Sequence, residues 1–574
     1  VDRKYFFERN LLALSRRNPV LCSRLSAAET TLECYKFLDS LSGELIPAFV
    51  DRAGSAHALH STVDPVKEAG RLVATLKDKN GLSTESFVIF LGLGAGFAPL
   101  AALNSGDAAH VLVIDYDING IAELFCSREY IAFLGDPRFT LLVDPSADLI
   151  ESAILEIYKP ALCGGIRVLP LRARTEQDKQ KFGIAGDTIQ RTIEKVSQDY
   201  SVQAHFGMRW FSNIIRNLES AQQQNRSARP VREAAICAAG PSLDEQIPLL
   251  LEQRERSREL FVIAADTALP ALLHRGLKPD AIVSIDCQHI SYYHFMGTGC
   301  ADIPLFLDIA SPPMLSGFSA CPFFFSGGHP LAVYLSQQWR PLPLLDTSGG
   351  NVTYACLSLA ESLSAQRITV YGADFSYPAG KVYARGTYIY PFFAQKQKRL
   401  APLEAHFSSF LYRSPFLSPE ADTNVDETAL RYETTALRLY RKHFERKMAG
   451  MEALVRSAPG LGIPFSNGRE SEQVHHFHPS TKRIFSLFAP GKARMSADQF
   501  LEQYRQDIAA LPVRALPAHN LDAAEKRILT TLLPQAAAIK HRRPELTTPE
   551  LIEAVKSYCV NEIDKVLREM RNEE

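Results

Sequence analysis

Five apolar runs in the middle of this 574-residue chain each stop at an aspartate: LFVIAAD at Asp266, AIVSID at Asp286, PLFLD at Asp308, PLPLLD at Asp346 and ITVYGAD at Asp374. Such runs read as strands buried on both faces of a parallel sheet, and ligands of open α/β sheets bind outside the carboxyl ends of the strands. One aspartate at a strand end serves a turn or a helix cap more often than a ligand. Five along one edge point to a polar pocket. Two glycine turns face the same edge. In the first, the run AAICAA enters Gly240-Pro241-Ser242, where Ser242 and Glu245 have capping-box spacing ahead of IPLLLEQRERS. In the second, Thr347-Ser348-Gly349-Gly350-Asn351 precedes Val352, Ala355, Cys356, Leu359, Ala360 and Leu363, an apolar stripe at helical spacing. Each turn aims backbone N–H groups and the positive end of a helix dipole at one spot, an arrangement suited to an anion.

An earlier unit has a similar plan. SFVIFLGLGAGF is a strand entering a glycine turn, a small-residue helix follows, and VLVIDYD is the next strand. Gly92, Gly94 and Gly96, with Asp115 or Asp117, outline a nucleotide-binding βαβ unit. Two readings stay open: a bound dinucleotide or S-adenosylmethionine whose ribose meets the acid, or a Rossmann-like scaffold that keeps the tight turn without a ligand. Around it, residues 4–25 carry an amphipathic helical pattern, Asp64-Pro65 starts a helix, and DPRFTLLVD and GIRVLP are two more strands. A helical run over 176–224 leads to the polar linker QQQNRSARP. Beyond Tyr388 the pattern turns irregular, and residues 399–427 read as a lid that presents polar groups to the site. A strong helix, TALRYETTALRLYRKHFERKMAGMEALVRS, then precedes GIPFSNGRE, and helices are expected at 496–510, 521–540 and 547–571. The expected organisation is α/β: a Rossmann-like domain over 1–220, a doubly wound catalytic domain over 230–475 and a helical domain over 481–574.

Composition bounds the function. Hydrophobic residues make up 46% and charged residues 22%, with a net charge of -1, so nothing favours nucleic acid or an anionic membrane as partner. The ten cysteines show no Cys-x-x-Cys and no metal-ligand spacing, and read as reduced thiols. No apolar run reaches the ~18 residues of a membrane span. The start, VDRKYFFERNLLALSRR, lacks the uninterrupted apolar core of a signal peptide, and the expected compartment, the cytoplasm, is read from the reduced thiols.

Four motifs in order, Gly240-Pro241-Ser242-Leu243, ADTALPALLHRGLKPDAIVSID, GGNVTYACLSLAESL and VYGADFSYPAGKVYARGTY, closely resemble the central domain of the motility accessory factor (Maf) flagellin glycosyltransferases. That domain is in turn similar to bacterial sialyltransferases with a Gly-Pro-Ser-Leu loop and to 6-hydroxymethylpterin diphosphokinases of the MptE-like type. The resemblance runs from residue 4 to about 470. It implies a glycosyltransferase that moves a nonulosonic acid of the pseudaminic or legionaminic type from a CMP-activated donor to serine or threonine of flagellin, as flagellum assembly and motility require. No tightly bound cofactor is implied, and no metal: the five central strand ends carry no Asp-x-Asp.

By the same resemblance, Gly240, Pro241 and Ser242 lie against the nucleotide, although the sialyltransferase asparagine before the glycine is here Ala239. Asp266 takes a polar nucleotide contact, and Thr347, Ser348 and Gly349 form the second loop. Two sialyltransferase tyrosines that hydrogen-bond the leaving phosphate correspond to Tyr377 and Tyr383, six apart but displaced by one residue from Asp374, with Tyr383 the better match. The lid histidine corresponds in position to His406, whose surroundings do not match, and Asp286 is the alternative base or acceptor-binding group. Two other classes remain: a pterin diphosphokinase using Mg²⁺ and ATP, and a non-catalytic flagellin-binding protein.

Overall fold

The computed structural model describes residues 3–28, 34–50, 55–76, 86–106, 108–257, 259–414, 417–419, 430–465, 488–513 and 521–573. Residues 420–427 of the expected lid, 466–470 of GIPFSNGRE and the boundary expected between 475 and 481 lie outside them. The chain forms two compact units, residues 1–207 with 510–558 and residues 208–509 with 559–574. The helices Ala497–Ala510, Ala523–Arg542 and Thr548–Glu573 fall where the sequence expects helices, and they are shared between both units.

In the first unit the expected opening helix is two, Arg3–Ser15 and Pro19–Ser26. Pro19 cannot donate to a continuing ladder, and the Asn18 side chain caps the second helix by accepting from the Leu21 N–H. An antiparallel meander follows, β1 (Lys36–Asp39), β2 (Leu45–Val50) and β3 (Ala56–Ala58), which the short half-exposed runs did not announce. The helix Pro65–Ala74 starts as expected, its Asp64 N-cap accepting from the Lys67 N–H. The main sheet is parallel, with β4 (Ser86–Leu91), β5 (Ala108–Asp115), β6 (Phe139–Val143) and β7 (Ile166–Pro170) in the order β6-β5-β4-β7. Every residue of β4 and β5 is buried, as continuous apolar runs require in a sheet covered on both faces.

The second unit is built on β8 (Glu233–Cys237), β9 (Leu260–Ala265), β10 (Ala281–Ser284), β11 (Leu305–Asp308), β12 (Pro322–Phe325) and β13 (Arg367–Tyr371). A small antiparallel sheet joins β14 (Tyr377–Pro378), β15 (Ser418–Pro419) inside the stretch read as irregular, and β16 (Arg431–Glu433), which takes the start of the run read as one strong helix and leaves the helix Thr435–Ala449. Then β17 (Leu454–Ser457) completes an all-parallel seven-stranded sheet, β12-β11-β10-β9-β8-β13-β17. Alternation of side chains makes its two cores. Ala234, Ile236, Ile263 and Ala265 pack with the helix Val352–Ser362, while Ala235, Cys237, Val262 and Ala264 pack with the helix Leu243–Arg256. The chain runs outward from β8 to β12 and returns on the other side of β8 at β13. The topological switch therefore lies between β8 and β13, where the Gly240 N–H donates to the Gly372 carbonyl at 2.8 Å. The run PLPLLD is reduced to one parallel bridge, Ser326 with Leu344, before Asp346.

Candidate active site

At the switch point the first glycine turn is filled from within. The Ser242 N–H at the start of the helix Leu243–Arg256 donates to Asp374 Oδ2 at 2.8 Å, so the anion at this helix terminus is a protein carboxylate. Burial raises the Asp374 pKa against the pull of Ser242. A Cβ on Gly240 would lie 2.5 Å from both Asp374 Oδ2 and the Gly372 carbonyl, so the glycine is needed for β8 and β13 to close on each other. Gly462 packs as tightly on Asp374. The expected capping box does not form: Ser242 has helical φ and ψ (-59° and -23°), and its Oγ instead accepts from the Leu461 N–H at 2.6 Å. A contact 219 residues away in sequence has displaced the local one.

The second turn is likewise organised on itself. Asp346 accepts from the Ser348 N–H (3.0 Å) and Oγ (2.7 Å) and from the Tyr354 hydroxyl (2.6 Å), with Lys447 Nζ at 3.3 Å. Burial alone would raise its pKa, but these donors and Lys447 outweigh it and hold the carboxyl at about 2. Thr347 Oγ1 donates to the Gly327 carbonyl at 3.1 Å, and Gly349 leaves room for the Tyr354 ring. Asn351 caps the helix Val352–Ser362 by accepting from the Tyr354 N–H.

Unspent polar groups lie elsewhere along the strand ends. Asp266, almost fully buried, accepts from the Thr267 N–H and from Ser284 Oγ, both at 2.7 Å. Asp286 is half-buried and accepts from the Gln288 N–H at 2.9 Å; burial raises its pKa, Asp266 adds to the rise and His294 opposes it. Four tyrosines, Tyr377, Tyr383, Tyr388 and Tyr440, are within electrostatic reach of these carboxylates or of each other. Burial raises all four phenol pKa values. Behind it, Asp266 adds to the rise at Tyr383 and Tyr388 and Asp286 at Tyr388 and Tyr440, while Arg413 opposes it at Tyr377, Tyr383 and Tyr388. None of the four hydroxyls has a hydrogen-bond partner among the described residues, so each is a neutral phenol free to donate. The Tyr383 and Tyr388 ring centroids are 6.3 Å apart, and His294 meets Tyr388 edge-on at 4.6 Å. His294 is buried, and its Nδ1 has no partner. Tyr388 also lines a cavity of about 480 Å³ with Tyr293, Phe392, His274 and Met296.

Of the residues singled out from sequence, Asp266, Asp286, Tyr377 and Tyr383 are thus brought together. Asp374 and Ser242 hold the first turn, and Thr347, Ser348 and Gly349 the second. His406 is on the helix Leu403–Tyr412, stacked on Phe393 with its Nε2 3.2 Å from the Lys396 carbonyl, and contacts none of the strand-end carboxylates. Tyr388, Tyr440, Arg413 and His294 were not foreseen. Tyr388 stands five residues after Tyr383 in the same motif, whereas the others arrive by tertiary contact alone.

The glycine loop of the first unit is closed. Gly92, Gly94 and Gly96 have φ of 99°, 54° and 76°, left-handed conformations that glycine tolerates. The Leu93 N–H donates to Asp115 Oδ2 (2.6 Å) and the Ala95 N–H to His60 Nε2 (2.8 Å). A Cβ on Gly92 would collide with Arg174, on Gly94 with His60 and on Gly96 with Phe133. Asp115 is fully buried and pairs with Arg174 Nε at 3.0 Å, and Arg174 donates on to Asp178 and to the Tyr116 carbonyl. Burial raises the Asp115 pKa, with Arg174 and the Leu93 and Tyr116 N–H groups pulling against it. Asp117 caps the helix Ile118–Ser127.

Over 99% of its length the chain matches the structure of MAf glycosyltransferase from Magnetospirillum magneticum AMB-1, covering 95% of that chain with a TM-score of 0.57 and 13% sequence identity. This is the Maf glycosyltransferase fold. It extends the resemblance seen in the central motifs to nearly the whole chain. A family model described as 6-hydroxymethylpterin diphosphokinase MptE-like matches residues 209–380, which include most of the Maf-like strand ends. Two relatives from Treponema pallidum (strain Nichols), both described as uncharacterized protein, are 41% identical over 129 residues and 34% identical over 146 residues. Those alignments span 43% and 66% of the relatives and 22% and 24% of this Maf-fold chain. Among the described residues no helix is long and apolar enough to cross a membrane.

Proposed function

We propose that this chain is a glycosyltransferase that moves a nonulosonic acid from a CMP-activated donor to serine or threonine of flagellin, working in the cytoplasm. The reading rests above all on the cluster of free neutral phenols around Tyr383, set at the strand ends of a Maf fold. Departure of CMP from a keto sugar builds negative charge on phosphate and positive charge at the anomeric carbon. A phenol donor at the phosphate strengthens as that charge grows, and Arg413 is a cation within electrostatic reach of the same phenol. Asp266 and Asp286 are anions suited to the oxocarbenium-like centre or to sugar hydroxyls. We assign this chemistry to residues 230–475, with 1–220 and 481–574 as flanking domains, and take Gly240, Pro241, Ser242, Thr347, Ser348 and Gly349 as the frame of the nucleotide site.

The MptE-like match favours one rival, a pterin diphosphokinase acting with Mg²⁺ and ATP. Such a metal needs only one or two carboxylates beside the phosphates, so ligand binding decides between them. CMP should raise the melting temperature, and ATP with Mg²⁺ and 6-hydroxymethylpterin should not. The decisive assay is the intact mass of flagellin co-expressed with this chain and a nonulosonic acid pathway. A mass increment lost on omission of the chain supports the transferase; unmodified flagellin, with a thermal shift from ATP alone, transfers the assignment to the kinase.

A further inference from the structure

We infer that Asp308 and His329 form the proton-accepting pair for the attacking hydroxyl, His329 as the base and Asp308 as its positioning residue. This rests on the transferase reading above. Asp308 ends β11 almost completely buried, with Oδ1 accepting from the Ala310 N–H at 2.8 Å. Its Oδ2 lies 3.6 Å from Nε2 of His329, whose side chain is 19% exposed. A buried carboxylate thus faces one nitrogen of an imidazole that solvent reaches. The separation is longer than a hydrogen bond, as catalytic pairs often are before substrate binds.

Three further observations hold the pair at the site. A Cβ on Gly327 would collide with Asp308 Oδ2, so only glycine lets the carboxylate pass to His329. The Gly327 carbonyl accepts from Thr347 Oγ1 at 3.1 Å, which ties the pair to the turn assigned to the donor. The Trp210 ring lies against the imidazole, with centroids 4.4 Å apart, and His329 directly precedes Pro330 at the start of the helix Pro330–Gln338. His329 Nδ1 has no hydrogen bond among the described residues and is not sealed off. His294, by contrast, has no carboxylate within 4 Å among the described residues.

With the proton of neutral His329 on Nε2 towards Asp308, Nδ1 carries the free lone pair. The acceptor oxygen attacks the anomeric carbon as its bond to the phosphate oxygen breaks, and that electron pair leaves on CMP. The acceptor proton passes to Nδ1, Asp308 stabilises the imidazolium, and solvent later removes the proton. Sequence reasoning overlooked His329 because it attended to aspartates at strand ends, and this histidine follows β12 across Gly327-Gly328.

The test is steady-state kinetics on full-length wild type, His329→Gln, His329→Ala and Asp308→Asn, with CMP-nonulosonic acid and flagellin. His329→Gln should lower kcat by about 100- to 10,000-fold with donor KM within about threefold of wild type. Asp308→Asn should lower kcat by at least about tenfold with the same unchanged KM, and added imidazole should restore part of the His329→Ala rate. A His329→Gln rate within about threefold of wild type, or a loss of CMP binding equal to the loss of rate, overturns the pair. Wild type that turns over only ATP with 6-hydroxymethylpterin would instead sink the donor reading. A hydroxyl attacks there too, and the variants are then judged on that pair by the same criteria.

Discussion

Two of the chain's glycine turns, each following a buried strand and opening a helix, have come to different ends. Around Gly92, Gly94 and Gly96 the two side chains that face the turn backbone are matched by protein partners: Asp115 by Arg174 and two N–H groups, and His60 by the Ala95 N–H. Around Gly240 the turn is closed as well, by Asp374, yet the neighbouring strand ends keep four free phenols, an unpartnered imidazole nitrogen and a buried aspartate facing a histidine. A glycine turn therefore marks a tight crossing of backbone. What sets the candidate site apart is a group of phenol hydroxyls that no described side chain or backbone group has taken, so that a ligand can.

The largest expected effect breaks the closed turn. Arg174→Met leaves Asp115 charged and unpaired in the first unit, which should cost about 3 to 5 kcal/mol in urea unfolding. Adding Asp115→Asn should recover part of the loss. If Arg174→Met unfolds like wild type, Asp115 and Arg174 are not the lock that keeps ligand out of this loop.

A smaller effect is expected at the other turn. Gly240→Ala forces Asp374 and the Gly372 carbonyl apart, and overpacking of this kind costs about 1 to 3 kcal/mol. The glycine acts by packing, so the loss should be as large without CMP as with it. A variant as stable as wild type that has lost only CMP binding would return Gly240 to direct contact with the nucleotide.

The smallest effect concerns pH. Asp346 is held at about 2 in the folded chain, below its unfolded value, so its contribution to stability is complete above about pH 4 and fades as pH falls towards 2. The difference in melting temperature between wild type and Asp346→Asn should therefore be present at pH 6 and shrink between pH 4 and pH 2. A difference that stays constant across that window would remove the donors around Asp346 as its cause.

The fold was legible where the physics is local. Strands buried on both faces must be long apolar runs, so β4, β5, β8, β9 and β13 could be read directly, and the Asp64 cap announced its helix. What was misread depended on distant partners. Ser242 has the spacing of a cap, but Leu461 supplies a donor that draws its Oγ away. Tyr383 was recognisable from its motif, whereas His294, Arg413 and Tyr440 belong to the site only because separate segments fold onto the same strand ends. His406, singled out by its position in the lid, packs on Phe393 instead.

The central claim is that catalysis belongs to the unspent phenols and not to the closed glycine loop. It is tested most directly by comparing Tyr383→Phe with His60→Gln in sugar transfer at equal folded protein. Tyr383→Phe keeps the ring and removes a donor that strengthens in the transition state, so kcat should fall by roughly 30- to 1000-fold, about 2 to 4 kcal/mol, with little change in donor KM. His60→Gln should transfer within about threefold of wild type. Tyr383→Phe at wild-type rate, together with loss of transfer in His60→Gln, would contradict the account.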